Sequence, residues 1–528
     1  MTASSPTSAT RQIARAAATV MFAILFGQIA GLVRGIIVAR LFGASAQLDA
    51  FFFANRVSET LFLLVAGGAL GSAFIPAFTG LLARGEKDSA WRLASQIAND
   101  ITLVLIALAA LAAVFAPLIV RYLLAPGFAH DPALFDLTVS LLRIQLISPV
   151  LFGLGGLIVG ILNANQVFLI PALTPALYQI GIILGAVLLA PSMGVYGLAW
   201  GVVIGAALYL LVQLPWLLRQ KGSYTRGLGL EDPTVRHVAR LMVPRLLGVA
   251  VVQLNFWVNG WLASQMSKGS YTGLYYGFTL MLMAQAAIAQ SVAIAAMPTF
   301  SAQHALGRHD EMRSSLAASL RGVVLLAVPA TAGLILLRRP LVELLFQRGE
   351  FDARSVELVA WALLWYAAGL VGHSIMEVLT RAFYARQDTK TPVLIGTGAM
   401  LLNVVLSVAL SAWFRRMGWM PHGGLALANS LATALEATAL FLVMRDQLRG
   451  MHGGRVLRGL GAALLAAAVM AVALALWLRF AAGIGLWVSV PGAVALGGLT
   501  YALAIWALRV SEITALARAV SRRIGRNP

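Results

Sequence analysis

The residues most able to do chemistry are the few charged side chains that interrupt long apolar stretches. Arg34 stands inside FAILFGQIAGLVRGIIVARLF (22–42), flanked by Gln28 and by Gly27, Gly31 and Gly35 at four-residue spacing. At about 100° per residue, Gln28 and Arg34 fall within about 120° of that glycine stripe. Asp49, Arg56 and Glu59 share one face of the next apolar segment, with Gly67 and Gly71. His373, Glu377 and Arg381 follow at four-residue steps, and Glu436 shares a helical face with Asn429. An arginine offers a planar fork of donors that fits phosphate or carboxylate oxygens, so Arg34 and Arg56 read as anion-binding groups. A carboxylate or imidazole inside an apolar helix reads as a proton or ion relay. Each has a structural reading beside it. Arg34 could cap carbonyls or snorkel, Asp49 could cap a helix start, Arg56 and Glu59 could pair three residues apart, and His373–Glu377–Arg381 could be a self-neutralising ladder.

Enzymatic chemistry has no support. The chain has no cysteine, its seven histidines are scattered, and it contains no Walker loop, nucleophile elbow or HExxH motif. No cofactor is expected beyond coupling to a monovalent cation or to the membrane potential.

The elements that must position these residues are membrane helices. Of 528 residues, 60% are hydrophobic and 11% charged, and apolar runs long enough to cross a bilayer recur throughout. The chain reads as all-α and polytopic, with about fourteen segments at 16–41, 48–81, 97–123, 136–163, 168–190, 194–217, 240–266, 272–300, 317–338, 355–384, 391–414, 423–446, 456–480 and 484–509. The net charge of +19 fits basic cytoplasmic loops better than nucleic-acid binding. Arg84, Lys87, Arg92, Arg445, Arg449, Arg455 and Arg458, and the tail with Arg518, Arg522, Arg523 and Arg526, then lie inside. Both termini are expected in the cytoplasm. The first twenty residues read as a cytosolic tail, not a cleaved signal.

An internal repeat organises the chain. ILNANQVFLIPAL (161–173) aligns with AFYARQDTKTPVL (382–394), LLAPGF from Leu123 with LFQRGE from Leu345, the segment around Pro76 with that around Pro298, and GLAWG from Gly197 with GLALA from Gly424. The offsets are 221, 222, 222 and 227 residues, in order along the chain. A duplicated six-helix unit follows. Six is even, so both copies share one orientation, as in transporters whose substrate passes between two lobes. The expected organisation is a lobe at 1–217, a cytoplasmic linker at 218–239, a second lobe at 240–446, and two additional helices with a basic tail at 447–528.

GLVRGIIVARLFGASAQLDAFFFANRV (31–57), GGALGSAFIPAF (67–78), LYYGFTLMLMAQ (274–285), AMPTFS (296–301), ARQDTKTPV (385–393) and GGLALANSLATALE (423–436) together resemble the MurJ (MviN) family of the multidrug/oligosaccharidyl-lipid/polysaccharide exporter superfamily. The resemblance implies a 6+6+2 helix plan in the bacterial inner membrane and a flippase that carries lipid II, an undecaprenyl-pyrophosphate-linked glycan, outward by alternating access. It implies a lipid-linked glycan and membrane lipids as partners, a monomeric state, and a lipid-tail groove at the last two helices. On it the substrate-binding candidates are Arg34, Gln28, Asp49, Arg56 and Glu59, and the cation-binding candidates Asn259, Asn403, Ser407 and Asn429. Several positions depart from the family pattern. Its first-helix arginine is Gln28, the acid after Arg34 is Gly35, a second-helix arginine and acid fall on Phe62 and Gly67, an eighth-helix arginine falls on Thr279, and the seventh-helix acid falls on Asn259. Export of another lipid-linked glycan, cation-coupled export of small amphipathic molecules, and a non-transporting membrane scaffold are the other readings.

Overall fold

In lipid a backbone must satisfy its own hydrogen bonds, so an apolar chain of this kind can only be helical or a closed barrel. The computed structural model, described here for residues 6–65, 69–450 and 453–508, is helical throughout and has no strand among them. Eighteen helices of fourteen residues or more succeed one another: α1 Pro6–Phe42, α2 Ala46–Val65, α3 Ala69–Ala83, α4 Lys87–Val114, α5 Pro132–Gln145, α6 Ser148–Ala164, α7 Leu169–Leu184, α8 Val195–Leu211, α9 Pro233–Ser264, α10 Ser270–Gln285, α11 Ser291–Ala305, α12 His309–Phe346, α13 Ala353–Ala368, α14 Leu370–Ala385, α15 Lys390–Arg416, α16 His422–Gln447, α17 Gly453–Phe480 and α18 Leu486–Ala507. Every expected apolar segment falls on one of these or on a consecutive pair. Gly67 and the tail arginines lie outside the described residues.

Among the described residues, eleven stretches are long and apolar enough to cross a membrane, and a twelfth is the α13–α14 pair, bent by 49°. The other two expected crossings are α2–α3, separated by residues outside the description, and α9. In α9 the uncharged run 246–263 carries Gln253, Asn255, Asn259, Trp257 and Trp261 among its apolar residues.

Aspartates start several of the helices where the chain leaves a loop. Asp131 accepts from Leu134 N at 3.2 Å, Asp232 from Thr234 N at 2.8 Å, and Asp352 from Ser355 N at 2.8 Å. Each satisfies an amide that the first turn leaves open.

By contacts the chain divides into one unit of Met1–Gly269 with Arg348–Phe351 and a second of Ser270–Gln347 with Asp352–Pro528. In the first, Phe74 and Phe78 of α3 pack with Leu93 and Ile97 of α4, Leu157 and Ile161 of α6, and Val238 of α9. In the second, Phe300 of α11 packs with Met312 and Leu316 of α12, Val378 and Phe383 of α14, and Leu440 and Met444 of α16. Phe78 and Phe300 are 222 apart and Ile161 and Ala382 are 221 apart, and all four lie in these cores, so the repeat positions seen in the sequence hold equivalent core places in the two units. Val238 shows why α9 groups with the first unit although the repeat makes it the first helix of the second copy. The loop before α9 is strapped to α4: Asn99 Nδ2 donates to Gly227 O at 2.8 Å, Ser95 Oγ accepts from Thr225 N at 3.1 Å, and Asp100 accepts from Gly229 N at 3.2 Å.

Helices α17 and α18 pack on α12 through Ala463, Ala466, Ala467 and Ile505 against Val324, Leu325 and Val328. Tyr501 Oη donates to Leu325 O at 2.7 Å, filling the carbonyl that Pro329, four residues on and without an N–H, leaves open.

The glycine pairs of α7 and α8 are packing devices. A Cβ on Gly181 would land on the backbone of Gly205, and one on Gly185 on that of Gly201. Small residues allow this backbone approach. Gly185→Val should therefore overpack the seam by about 1–3 kcal/mol and lower the melting temperature of the purified protein. Gly398→Ala, where a Cβ meets open space, should leave it within a degree or two. Equal melting temperatures for the two would contradict the seam.

Candidate functional site

The substrate-binding candidates come from α1 and α2, and all belong to the first unit. The glycine stripe of α1 faces α7: a Cβ on Gly27 would lie 3.8 Å from Ala176 N, and one on Gly31 3.8 Å from the amide of Gln179. Arg34, one turn along, is half-buried, whereas Gln28 is exposed.

On α2 the expected pair forms, with Arg56 Nη1 donating to Glu59 Oε2 at 3.0 Å. The arginine is the more enclosed of the two, its side chain 14% exposed against 44% for the glutamate. Its guanidinium also lies 4.9 Å from the centroid of the Phe256 ring on α9, a cation–π distance. One turn on, Thr60 Oγ1 donates to Arg56 O at 2.7 Å and accepts from Trp257 Nε1 at 2.9 Å. Arg56 is thus held between its own helix and α9, and its charge is matched by Glu59. The α9 partners were not legible beforehand, because nothing in local spacing says which helix α2 will meet.

Asp49 settles a choice that spacing left open. Ser45 caps the start of α2, its Oγ accepting from Leu48 N at 3.3 Å. Asp49 is 3% exposed and instead reaches 220 residues along the chain, accepting from Gly269 N at 2.6 Å. Gly269 has φ +88, a conformation that L side chains rarely adopt. Two further contacts tie down the same loop. Lys268 Nζ donates to Asp131 Oδ2 at 2.9 Å, and Gly127 N donates to Ser264 Oγ at 3.3 Å. The lysine, together with the Leu134 amide, holds the Asp131 carboxyl below the ordinary carboxylate range.

Gly127 also approaches the Ser264 carbonyl so closely that a Cβ would land on it, and Gly349 does the same with the Arg40 carbonyl. Glu350 N donates to Arg40 O at 2.9 Å. Gly127 and Gly349 are repeat partners, 222 apart, and Arg40 and Ser264 end the first helix of each copy, 224 apart. Each copy therefore lays a glycine loop on the end of the other copy's first helix.

The cation-binding candidates divide between the units. Asn259 of α9 donates from Nδ2 to Asn255 O and Oδ1 at 3.1 and 3.0 Å. In the second unit Ser407 Oγ donates to Asn403 Oδ1 at 3.4 Å, both side chains buried. Asn429 Oδ1 lies 3.0 Å from His373 Nε2. His373 therefore leaves the expected three-residue ladder. Only Arg381 and Glu377 pair, at 2.8 Å, while the histidine turns to α16. No group of three His, Cys, Asp or Glu is placed to hold a metal among the described residues.

The family model described as lipid II flippase MurJ matches residues 38–494. The chain is 33% identical over 440 residues to the probable lipid II flippase MurJ of Vibrio cholerae, covering 81% of each. It is 33% identical over 444 residues to the lipid II flippase MurJ of Burkholderia cenocepacia, covering 83% of this chain and 84% of that one. Among solved structures, a lipid II flippase MurJ in an inward closed conformation aligns with TM-score 0.79 and 24% identity, over 94% of this chain and 99% of that one. An inward-facing multidrug resistance MATE family transporter of the MOP superfamily aligns with TM-score 0.65 and 16% identity, over 80% and 94%. These structural likenesses establish the fold.

The Asp49 contact carries a prediction. Asp49→Asn removes the charge that strengthens the bond to Gly269 N, and charge-assisted bonds are roughly twice as strong as neutral ones. Amide exchange at Gly269 should quicken in the variant. Because the Asp131 carboxyl is held low, the Lys268 contact should persist at mildly acid pH and be lost only as pH falls below the usual carboxylate range. Unchanged exchange in Asp49→Asn would show that the loop is held by its other contacts alone.

Proposed function

The chain belongs to the MurJ family of lipid II flippases, and from that premise we propose that it moves lipid II from the inner to the outer leaflet with Arg34 as the principal contact to the pyrophosphate. The observation that carries this reading is the half-buried arginine of α1, one turn from glycines that face α7. A central arginine in a spanning helix costs roughly 2.5–3.5 kcal/mol on insertion scales, which favours an anionic partner or water beside it. Arg56 is matched by Glu59 and by the face of Phe256. Gln28 contributes neutral donors, and Asp49 acts through the loop it holds instead of on the substrate.

The glycine loops at Gly127 and Gly349 sit on the ends of α9 and α1 respectively, and with the Asp49–Gly269 and Arg40–Glu350 contacts they lie within the first unit; alternating access is taken from the flippase reading. All fourteen segments cross the membrane in this reading, with both termini inside and the chain acting as a monomer. Reporter fusions near Glu86, Gly222 and Gly450 should then read cytoplasmic, and those near His130 and Phe351 external. A reversed pattern at most of these sites would overturn the orientation. A monovalent cation would find only neutral oxygens, those of Asn403, Ser407 and Asn429 in the second unit and of Asn259 in the first.

A second reading keeps the mechanism and changes the glycan. It is favoured by the substitutions at Gln28, Gly35, Phe62 and Thr279, which remove charges that the family pattern has.

The test is flipping of fluorescent lipid II in reconstituted vesicles at matched protein levels. Arg34→Ala should abolish it. Arg34→Lys should restore it in part, since lysine keeps the charge without the fork. Flipping by Arg34→Ala at the wild-type rate would remove Arg34 from the site.

A further inference from the structure

Glu436 is a carboxylate deep in a membrane helix, and nothing in the mechanism above uses it. It lies eleven residues before the end of α16 at Gln447, about 16 Å along the axis, too far for a glutamate to reach the interface. Nor does it face lipid. Leu431, Leu435 and Leu442 are 40%, 54% and 54% exposed and mark the outward arc of α16. Glu436 lies well over 90° from that arc at about 100° per residue, on the side of buried Ala432, Thr433 and Leu440.

Its surroundings are shaped for it. On α15, Pro392, Gly396, Asn403, Ser407, Ser411 and Phe414 form the buried seam. A Cβ on Gly396 would stand 3.1 Å from Glu436 Oε1, so the glycine leaves the space that the carboxylate occupies. The two helices run antiparallel, with Gly424 against Leu410 and Ser411 and Gly396 against Glu436. That register sets Asn403 level with Asn429. Glu436 is seven residues from Asn429 on nearly the same face, about 10 Å along the helix.

No hydrogen bond or ion pair reaches Glu436 among the described residues. The helices packed on α16 are α10, α13, α14 and α15. Their titratable and charged groups are Tyr271, Tyr275 and Tyr276 on α10, Arg354, Glu357 and Tyr366 on α13, His373, Glu377, Arg381 and Tyr384 on α14, and Lys390, Arg415 and Arg416 on α15. Arg381 is bonded to Glu377, and His373 to Asn429. A metal ion needs several converging oxygens, whereas the seam offers one carboxylate against a glycine. A proton needs only the carboxylate.

We propose that Glu436, seated against Gly396 in the α15–α16 seam, is a proton-binding site whose protonation drives the transport cycle. The step is a simple transfer: the carboxylate takes one proton from the outer side to become the neutral acid, and releases it to the cytoplasm. Glu436 is half-buried in this seam, and the neutral acid suits that place, because an ionised carboxylate without a partner is strongly disfavoured in hydrocarbon. Ionisation favours a conformation that admits water to the seam, which makes the seam the two-state element. Protons move inward while lipid moves outward, so the coupling half of the proposal rests on the flippase reading. The binding half does not.

The experiment has two arms on the full-length protein. Without substrate, infrared difference spectra between acid and alkaline pH should show a protonated-carboxyl band that disappears in Glu436→Gln. In Gly396→Ala, which crowds the carboxylate, the band should stay and its midpoint move. With fluorescent lipid II in phosphatidylethanolamine/phosphatidylglycerol vesicles, an acid-outside gradient should raise wild-type flipping about tenfold. The ratio of rates with and without the gradient should fall to about one in Glu436→Gln and recover in part in Glu436→Asp. A spectrum unchanged by Glu436→Gln overturns the site. A titrating band with a gradient ratio of one in the wild type overturns the coupling. A wild type that flips no lipid II while its band titrates overturns the flippase reading and supports the proton site.

Discussion

A charge in hydrocarbon must find a partner, water or a proton, and the placement of nearly every charged group inside this bundle follows from that requirement. Arg56 is met by Glu59 and by the face of Phe256. Arg381 is met by Glu377, and Asp49 by the amide of Gly269. Arg56 and Asp49 tie α2 to α9 and to the loop after it, whereas Arg381 and Glu377 pair within α14. Arg34 and Glu436 are the groups to which the proposals above give work on something that comes and goes: a phosphate in one case and a proton in the other. Their places differ accordingly. Arg34 stands on the helix whose glycines bring it against α7, and Glu436 stands in a seam that a glycine has opened for it.

Backbone approach is the second determinant. The duplicated halves contribute a glycine loop each, Gly127 and Gly349, to the end of the other half's first helix. Neither site admits a Cβ without movement, so glycine is required at both. Grouping of Arg348–Phe351 with the first unit, away from its sequence neighbours, is the structural trace of the exchange.

Much of this was legible in the sequence, and the rest was hidden for definable reasons. Apolar runs fix helices because lipid leaves the backbone no alternative, so the elements could be read from composition and length alone. The repeat could be read because core positions such as Phe78 and Phe300 keep both type and spacing. The Arg56–Glu59 pair follows from three-residue spacing on one helix. Long-range partners do not follow from spacing. Asp49 looked as much like a helix cap as a functional acid, and its actual partner lies 220 residues away. His373 shared a face with Glu377 and Arg381 but turned to Asn429, because the neighbouring helix offered a buried amide that the ladder could not. The grouping of α9 with the first unit was likewise hidden, since Val235 and Val238 pack on α3 and α4 at a distance that no local pattern records.

This chain lacks charges of its family pattern at Gln28, Gly35, Phe62 and Thr279 and is still expected to move lipid II. The most direct measurement is complementation. A bacterium depleted of its own lipid II flippase should, when it expresses this chain stably in the inner membrane, keep dividing with normal shape and keep delivering lipid II to its outer leaflet. Lysis on depletion, with the protein present at a matched level and correctly inserted, would contradict the claim.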